Sequence, residues 1–236
     1  MKVGIMQPYF FPYIGYFSLI KYTDEFVFFD TPQYISHGWV NRNRVLKQNK
    51  EPVYIIVPIR KAPRETPIMD IKINSEMNWR EKIYGQLTVY KKKAPNYNET
   101  IELVHSLLDV DYGDDLSLLN IETTKKVCEY LGLERKFQTF SKMDIAIDEV
   151  NEPDEWALNI TKAMGYDTYV NPPGGMSFFN REKYENAGIR LEFLEAQLQP
   201  YVQRIGHFEP GLSIIDVMMF CKKDEITDML DEYKIL

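Results

Sequence analysis

Three short apolar runs in the first quarter of the chain constrain its fold most. Lys2–Gln7 is stopped by Pro8, Glu25–Asp30 (EFVFFD) closes on a carboxylate before Thr31-Pro32, and Val53–Val57 (VYIIV) lies between Pro52 and Pro58. Runs this short, rich in β-branched and aromatic residues and bounded by proline, read as strands. Between the first two, Ile14 to Tyr22 reads as a short helix with Phe17, Leu19 and Ile20 available for burial. Strand, helix, strand, basic loop, strand predicts a βαβ start and an α/β fold on a parallel sheet.

The rest of the chain extends that expectation. Arg60–Pro67 reads as an exposed loop, and Ile68–Ile73 (IMDIKI) alternates as a further strand would. From Trp79 the period becomes helical, with Trp79, Ile83, Leu87 and Tyr90 on one face. Ile101–Val110 and Leu116–Leu131 continue as helices, with Gly132 as terminus. Residues 75–136 therefore read as a helical insert or subdomain, and 1–74 plus about 137–220 as the α/β core. Phe137–Phe140, Tyr166–Val170 and Arg190–Glu195 read as strands. Asn151–Gly165, with Pro153 in its first turn, and Asn180–Ala187 read as helices. Ser213 with Asp216 suggests a capping box opening a helix through Phe220, and 221–236 reads as a C-terminal helix.

Composition narrows the function classes. The 236 residues carry 28 Lys+Arg against 35 Asp+Glu, a net charge of −7, which disfavours a general nucleic-acid binder. Two Cys make no disulfide framework and no four-cysteine zinc site, and no two His stand at ligand spacing, so no metal site is expected. No stretch resembles a signal peptide or a membrane span, so a cytoplasmic location is expected. The charge is uneven: residues 1–64 hold nine Lys/Arg and four acids, and twelve of the 32 aromatics fall in residues 1–40. A basic, aromatic-rich N-terminal third on an acidic body suggests an anionic ligand, or simply core plus solvated charge.

Four stretches could carry chemistry. QPYFFPYIGYF supplies Gln7, Tyr9, Tyr13, Gly15 and Tyr16 where a strand passes through a loop into a helix; backbone N–H groups there can meet a phosphate, or the aromatics can plug a turn. SHGWVNRNR gathers His37, Trp39, Asn41, Arg42, Asn43 and Arg44. Arginine forks suit phosphate or carboxylate, a tryptophan face suits a base or sugar, and His37 is the best general-base candidate by its ordinary pKa. The arginines could equally be a solvated pair on a helix face. NPPGG, with Gly174, is a turn or a ligand cradle. YVQRIGHFEP offers Tyr201 and Gln203 to a site, or is a surface loop. Asp216 reads as a capping partner rather than a catalyst.

QPYFFPYIGYF, EFVFFDTPQY and GWVNRNR, with NPPGG, YVQ and FEPGLSIIDVM later, resemble the WbqC-like family along essentially the whole chain. That family is similar to gene products of bacterial O-antigen and other surface-polysaccharide clusters. Tyr13-Ile14-Gly15-Tyr16 also stands where nucleotidyltransferase-superfamily enzymes carry His-x-Gly-His, so the core is expected to resemble that Rossmann-like fold. Tyr13 and Tyr16 in place of histidine cannot supply imidazolium charge.

The resemblance implies an enzyme that joins an acyl or aminoacyl group to a nucleotide-linked amino sugar. Arg42, Arg44 and the backbone near Gly15 would take the diphosphate, while Tyr9, Tyr13 or Trp39 would face sugar or base. His37 would accept the amine's proton, and Asn41, Asn43 or Gln7 would steady the oxyanion. No tightly bound cofactor is expected; the acyl group would arrive as a thioester, on CoA or an acyl carrier, or be activated by ATP. Nucleotidyl transfer to a sugar phosphate and non-catalytic nucleotide-sugar binding are the alternatives. The oligomeric state is not legible.

Overall fold

Successive side chains of a strand point to opposite faces, and the central strands of this protein divide their residues that way between two apolar clusters. In the computed structural model, which describes residues 1–48 and 51–236, Val3 and Ile5 of β1 (Lys2–Met6) and Val27 of β2 (Glu25–Phe28) enter one cluster. Phe26 and Phe28 enter the other. Gly4 leaves room for Phe26, whose ring lies 3.0 Å from where a Cβ would sit. The helix between them is α1 (Ile14–Tyr22), buried along nearly its whole length.

After β2 the chain leaves the sheet for about a hundred residues. It forms an antiparallel hairpin, β3 (Arg42–Leu46) with β4 (Pro52–Ile56), then α2 (Trp79–Leu87), α3 (Tyr97–Leu108) and α4 (Leu116–Tyr130). It re-enters as β5 (Lys136–Thr139), parallel to β2. There follow α5 (Glu155–Ala163), β6 (Thr168–Asn171), α6 (Arg181–Asn186) and β7 (Arg190–Ala196). Last come α7 (Ile214–Phe220), α8 (Lys223–Met229) and β8 (Tyr233–Ile235).

The six-stranded sheet has the order β5-β2-β1-β6-β7-β8, parallel except for β8. Helices α1, α3, α4, α7 and α8 pack residues into one cluster and α5 and α6 into the other, so both faces are covered. This is the α/β, mostly parallel architecture expected from the sequence. The chain leaves β1 for β2 and β5 on one side and returns to β6 and β7 on the other. The order therefore reverses beside β1, and such a switch point opens a crevice at the strands' carboxyl ends.

Several expectations need correction. Val53–Val57 is not a third parallel strand; Val53 and Ile55 face inward while Tyr54 and Ile56 are exposed, the pattern of a one-sided hairpin. Arg42–Arg44 lie on its partner strand, so the arginines are neither in a loop nor on a helix. Ile68–Ile73 is no strand: Ile68–Asp70 forms a 3₁₀ turn after Pro67, fixed by Ile68 and Met69 N–H bonds to the Pro32 and Asp30 carbonyls. Helix α5 starts at Glu155, so Pro153 precedes it rather than standing in its first turn. Residues 221–236 are a helix and then a strand paired with β7. The helices of residues 75–136 are present, and their Trp79, Leu87 and Leu107 join the same cluster as Phe26 and Phe28.

Candidate functional site

The carboxyl ends of β1, β2 and β6 open into one cleft of about 2090 Å³. That exceeds the roughly 300–1,000 Å³ of an ordinary small-molecule pocket. Gln7, Tyr9 and Tyr13 come from the segment after β1, Phe29 and Thr31 from that after β2, Asn171 from the end of β6, and Gly174 and Gly175 from the segment after it. Trp156 of α5 and Trp39 add further aromatic wall.

The first of these segments must hold an irregular path through the interior, and buried amides and a hydroxyl hold it. Asn43 Nδ2 donates to the Phe10 and Phe11 carbonyls at 3.1 and 2.7 Å. Asn120 Nδ2, from α4, donates to Pro8 at 3.0 Å and to Val40 at 2.7 Å. Ser213 Oγ donates to the Phe11 carbonyl at 2.8 Å. Phe11 itself sits at φ +40°, a conformation costly for a side-chain-bearing residue. Gly15, inside α1, lies beneath the Tyr13 ring: a Cβ there would stand 2.5 Å from ring carbon. The glycine thus makes room for Tyr13, and it does not itself line the cleft.

Charge is the cleft's most selective property. Its charged lining residues are Arg60, Lys61 and Arg64, with no carboxylate beside them in the lining. Arg60 is paired with Asp114 at 2.7 Å. Lys61 and Arg64 are exposed, and among the described residues neither makes an ion pair. The tyrosine hydroxyls supply neutral donors. Burial pushes the phenols of Tyr9 and Tyr13 above the ordinary tyrosine value, with the neighbouring Tyr13 adding to the shift of Tyr9. Both stay protonated at pH 7 and can donate a hydrogen bond.

The other expected site residues are more dispersed. Tyr16 reaches the cleft lining but is buried, and its hydroxyl is engaged in donating to the Gln7 carbonyl at 2.9 Å. Asn41 accepts from the Tyr34 hydroxyl at 2.9 Å and donates to Val57 at 3.0 Å, so it braces the hairpin base. Arg42 lies outside the lining; it donates to the His37 and Gly38 carbonyls and stacks on Tyr54 at 4.2 Å. Arg44 also lies outside, bonded to the Gly211 carbonyl at 3.3 Å and paired with Glu209 at 3.7 Å. His37 is exposed at φ +66°, off the cleft lining. The sequence thus brought Gln7, Tyr9, Tyr13, Tyr16, Trp39, Asn43 and Gly174 to the cleft. It did not mark Lys61 and Arg64 as binding groups, although a basic, proline-bracketed loop after a strand is a usable signal.

A family model described as the WbqC-like protein family matches residues 7–228, a span that includes every one of these side chains. The chain belongs to the WbqC-like protein family. A relative in Mycobacterium tuberculosis, described as "Uncharacterized protein Rv1507c", is 26% identical over 218 residues, covering 92% of each chain. No solved structure matches.

Two polar clusters of this WbqC-like protein lie outside the cleft. Asp216 is fully buried and accepts from Tyr90 (2.6 Å), Tyr201 (2.5 Å) and Gln203 (2.9 Å). Tyr201 and Gln203 therefore serve this network, and the Asp216 carboxylate is directed there instead of to the helix start. Ser213 alone caps α7, through the Ile215 N–H. Burial raises the Asp216 pKa, and the three donors oppose that rise. Glu152, Asp154 and Glu155 form the second cluster, at spacing that could hold a metal, but the Lys183 ammonium bonds all three.

Proposed function

We propose that this protein binds a nucleotide-linked sugar in the switch-point cleft and transfers an acyl or aminoacyl group to its amine, as a step in surface-polysaccharide assembly. The observation that carries the reading is the lining: aromatic walls with Lys61 and Arg64 unpaired and no carboxylate among them. Such a surface favours an anion joined to ring systems, which a nucleotide sugar is. The resemblance to polysaccharide-cluster gene products supplies the sugar.

His37 lies off the lining and is set aside as the base. In its place, the cleft offers phenols and cations. Rate enhancement then comes from holding amine and carbonyl together and from donors aimed at the developing oxyanion. Tyr9 and Tyr13 are the donors, and Lys61 and Arg64 hold the phosphates.

Thermal shift against a panel of nucleotide sugars tests the binding. A ligand at one hundred times its Kd adds about 2.7 kcal/mol of apparent stability. Lys61→Ala or Arg64→Ala removes one charge-assisted contact, about 1.5–3 kcal/mol, so each weakens binding roughly tenfold or more. His37→Ala leaves binding unchanged. Mass spectrometry of an amino-sugar nucleotide incubated with acyl thioester, or with acid and ATP, detects the amide. An undiminished shift in the Lys61→Ala/Arg64→Ala double variant would sink the site assignment.

A further inference from the structure

We propose that the outer face of the β3–β4 hairpin docks an acidic carrier protein that presents the acyl group to the cleft as a thioester. The inference rests on the acyl-transfer reading above and adds the identity of the donor.

Hairpin register and burial define the face. Arg42 pairs with Ile56 and Arg44 with Tyr54, while Asn43, Val45 and Ile55 turn inward and are buried. The outward side chains are two arginines and two large apolar groups, Tyr54 37% and Ile56 41% exposed. Trp39 and Ile35, 41% and 62% exposed, extend the surface; Trp39 lies 6.4 Å from Tyr54, ring to ring. Trp39 and Ile35 also line the cleft, so whatever covers the face is at the cleft mouth.

Charge identifies the occupant. Arg44 on the face is held by Glu209, Lys47 by Glu51 and Arg60 by Asp114, which leaves Arg42 on the face and Lys61 and Arg64 on the adjoining cleft lining as the cations that meet no carboxylate among the described residues. Among the described residues, the Arg42 guanidinium meets two carbonyls and the Tyr54 ring but no carboxylate. With Nε and Nη2 engaged on those carbonyls, the Nη1 side of the guanidinium, held over the Tyr54 ring, is the donor left for a carboxylate from outside. Arginine interleaved with tyrosine, tryptophan and isoleucine is the composition of a protein-interface core. A bilayer surface would instead be met by an apolar face with cations on the opposite, polar face. Nucleic acid would need a longer track of phosphate contacts than this face offers.

The step balances without an oxidant or metal. The sugar amine attacks the thioester carbonyl, the C–N bond forms and the C–S bond breaks, and the carrier thiol leaves with the amine's proton.

The test uses the full chain and an acylated, phosphopantetheine-bearing acyl carrier protein, with binding followed by calorimetry. The wild type binds it, Arg42→Glu and Ile56→Asp each weaken binding about tenfold or more, and Arg42→Lys weakens it less than Arg42→Glu. All three keep the wild-type shift with nucleotide sugar, which shows the cleft intact. A wild-type protein that shifts with nucleotide sugar but binds the carrier no better than Arg42→Glu overturns this inference alone. Retention of phosphatidylglycerol vesicles or an oligonucleotide through Arg42 and Ile56, in place of the carrier, overturns it too. If no nucleotide sugar shifts the wild type, the cleft reading fails whatever the carrier does.

Discussion

Asn43 shows how a residue chosen as a candidate oxyanion donor can belong to the site without touching a ligand. Its amide nitrogen is spent on two carbonyls of the loop that carries Tyr9 and Tyr13, and its oxygen accepts the Arg44 N–H at 2.8 Å. Asn43→Ala leaves buried acceptors unsatisfied, at about 1–3 kcal/mol. We expect that loss in chemical denaturation, together with weaker nucleotide-sugar binding because the Phe10–Phe11 turn is released. An unchanged denaturation midpoint would contradict it. Tyr9 and Tyr13 are different: their hydroxyls meet no protein acceptor among the described residues, and burial keeps them protonated.

At the scale of elements, α5 and α6 are joined by Lys183. Its ammonium lies 2.8 Å from Glu155 and 3.1 Å from Asp154 and also bonds Glu152. The Lys183 bond, with the Asn151 and Glu152 backbone N–H groups, lowers the Glu155 pKa from 4.5 to about 2. A depressed carboxylate pKa stabilises the fold above the unfolded value and loses that contribution as pH falls through the folded value. The stability gap between wild type and Lys183→Met is therefore full above pH 4.5 and closes as pH falls toward about 2. Urea midpoints across that range measure it; a gap independent of pH would exclude the linkage. The hairpin illustrates the opposite limit of element-level reading. Val53–Val57 is apolar at every position, so periodicity alone could not distinguish a central parallel strand from the inner strand of a hairpin.

Across the whole molecule, the helical insert and the sheet share one interior. Tyr90, beyond α2, donates to Asp216 of α7 and accepts from the Leu46 N–H of β3 at 2.8 Å. Leu87, Val104 and Leu107 pack in the cluster that holds Phe26 and Phe28. We therefore expect a single cooperative transition. Variants retaining only Trp79 of the insert, or only Trp156 of α5, should report the same urea midpoint. Two separated midpoints would mean that the insert folds as its own unit. No helix among the described residues is long and apolar enough to cross a membrane.

The local signals were strong enough to determine β1, α1, β2, α4 and the strands around NPPGG from sequence, because proline stops, apolar runs and Gly132 act within a few residues. Family membership was legible for the same reason, in contiguous motifs such as QPYFFPYIGYF. Which polar residues face a ligand was not local. His37, Arg42 and Arg44 stand beside Trp39 in sequence, yet strand alternation and the turn at His37 take them off the cleft. Lys61 and Arg64 reach it because the hairpin returns its chain to the carboxyl end of the sheet. Side-chain chemistry can be read one residue at a time; the reversal of strand order beside β1 exists only once β6, whose Thr168 pairs with Lys2, has joined it.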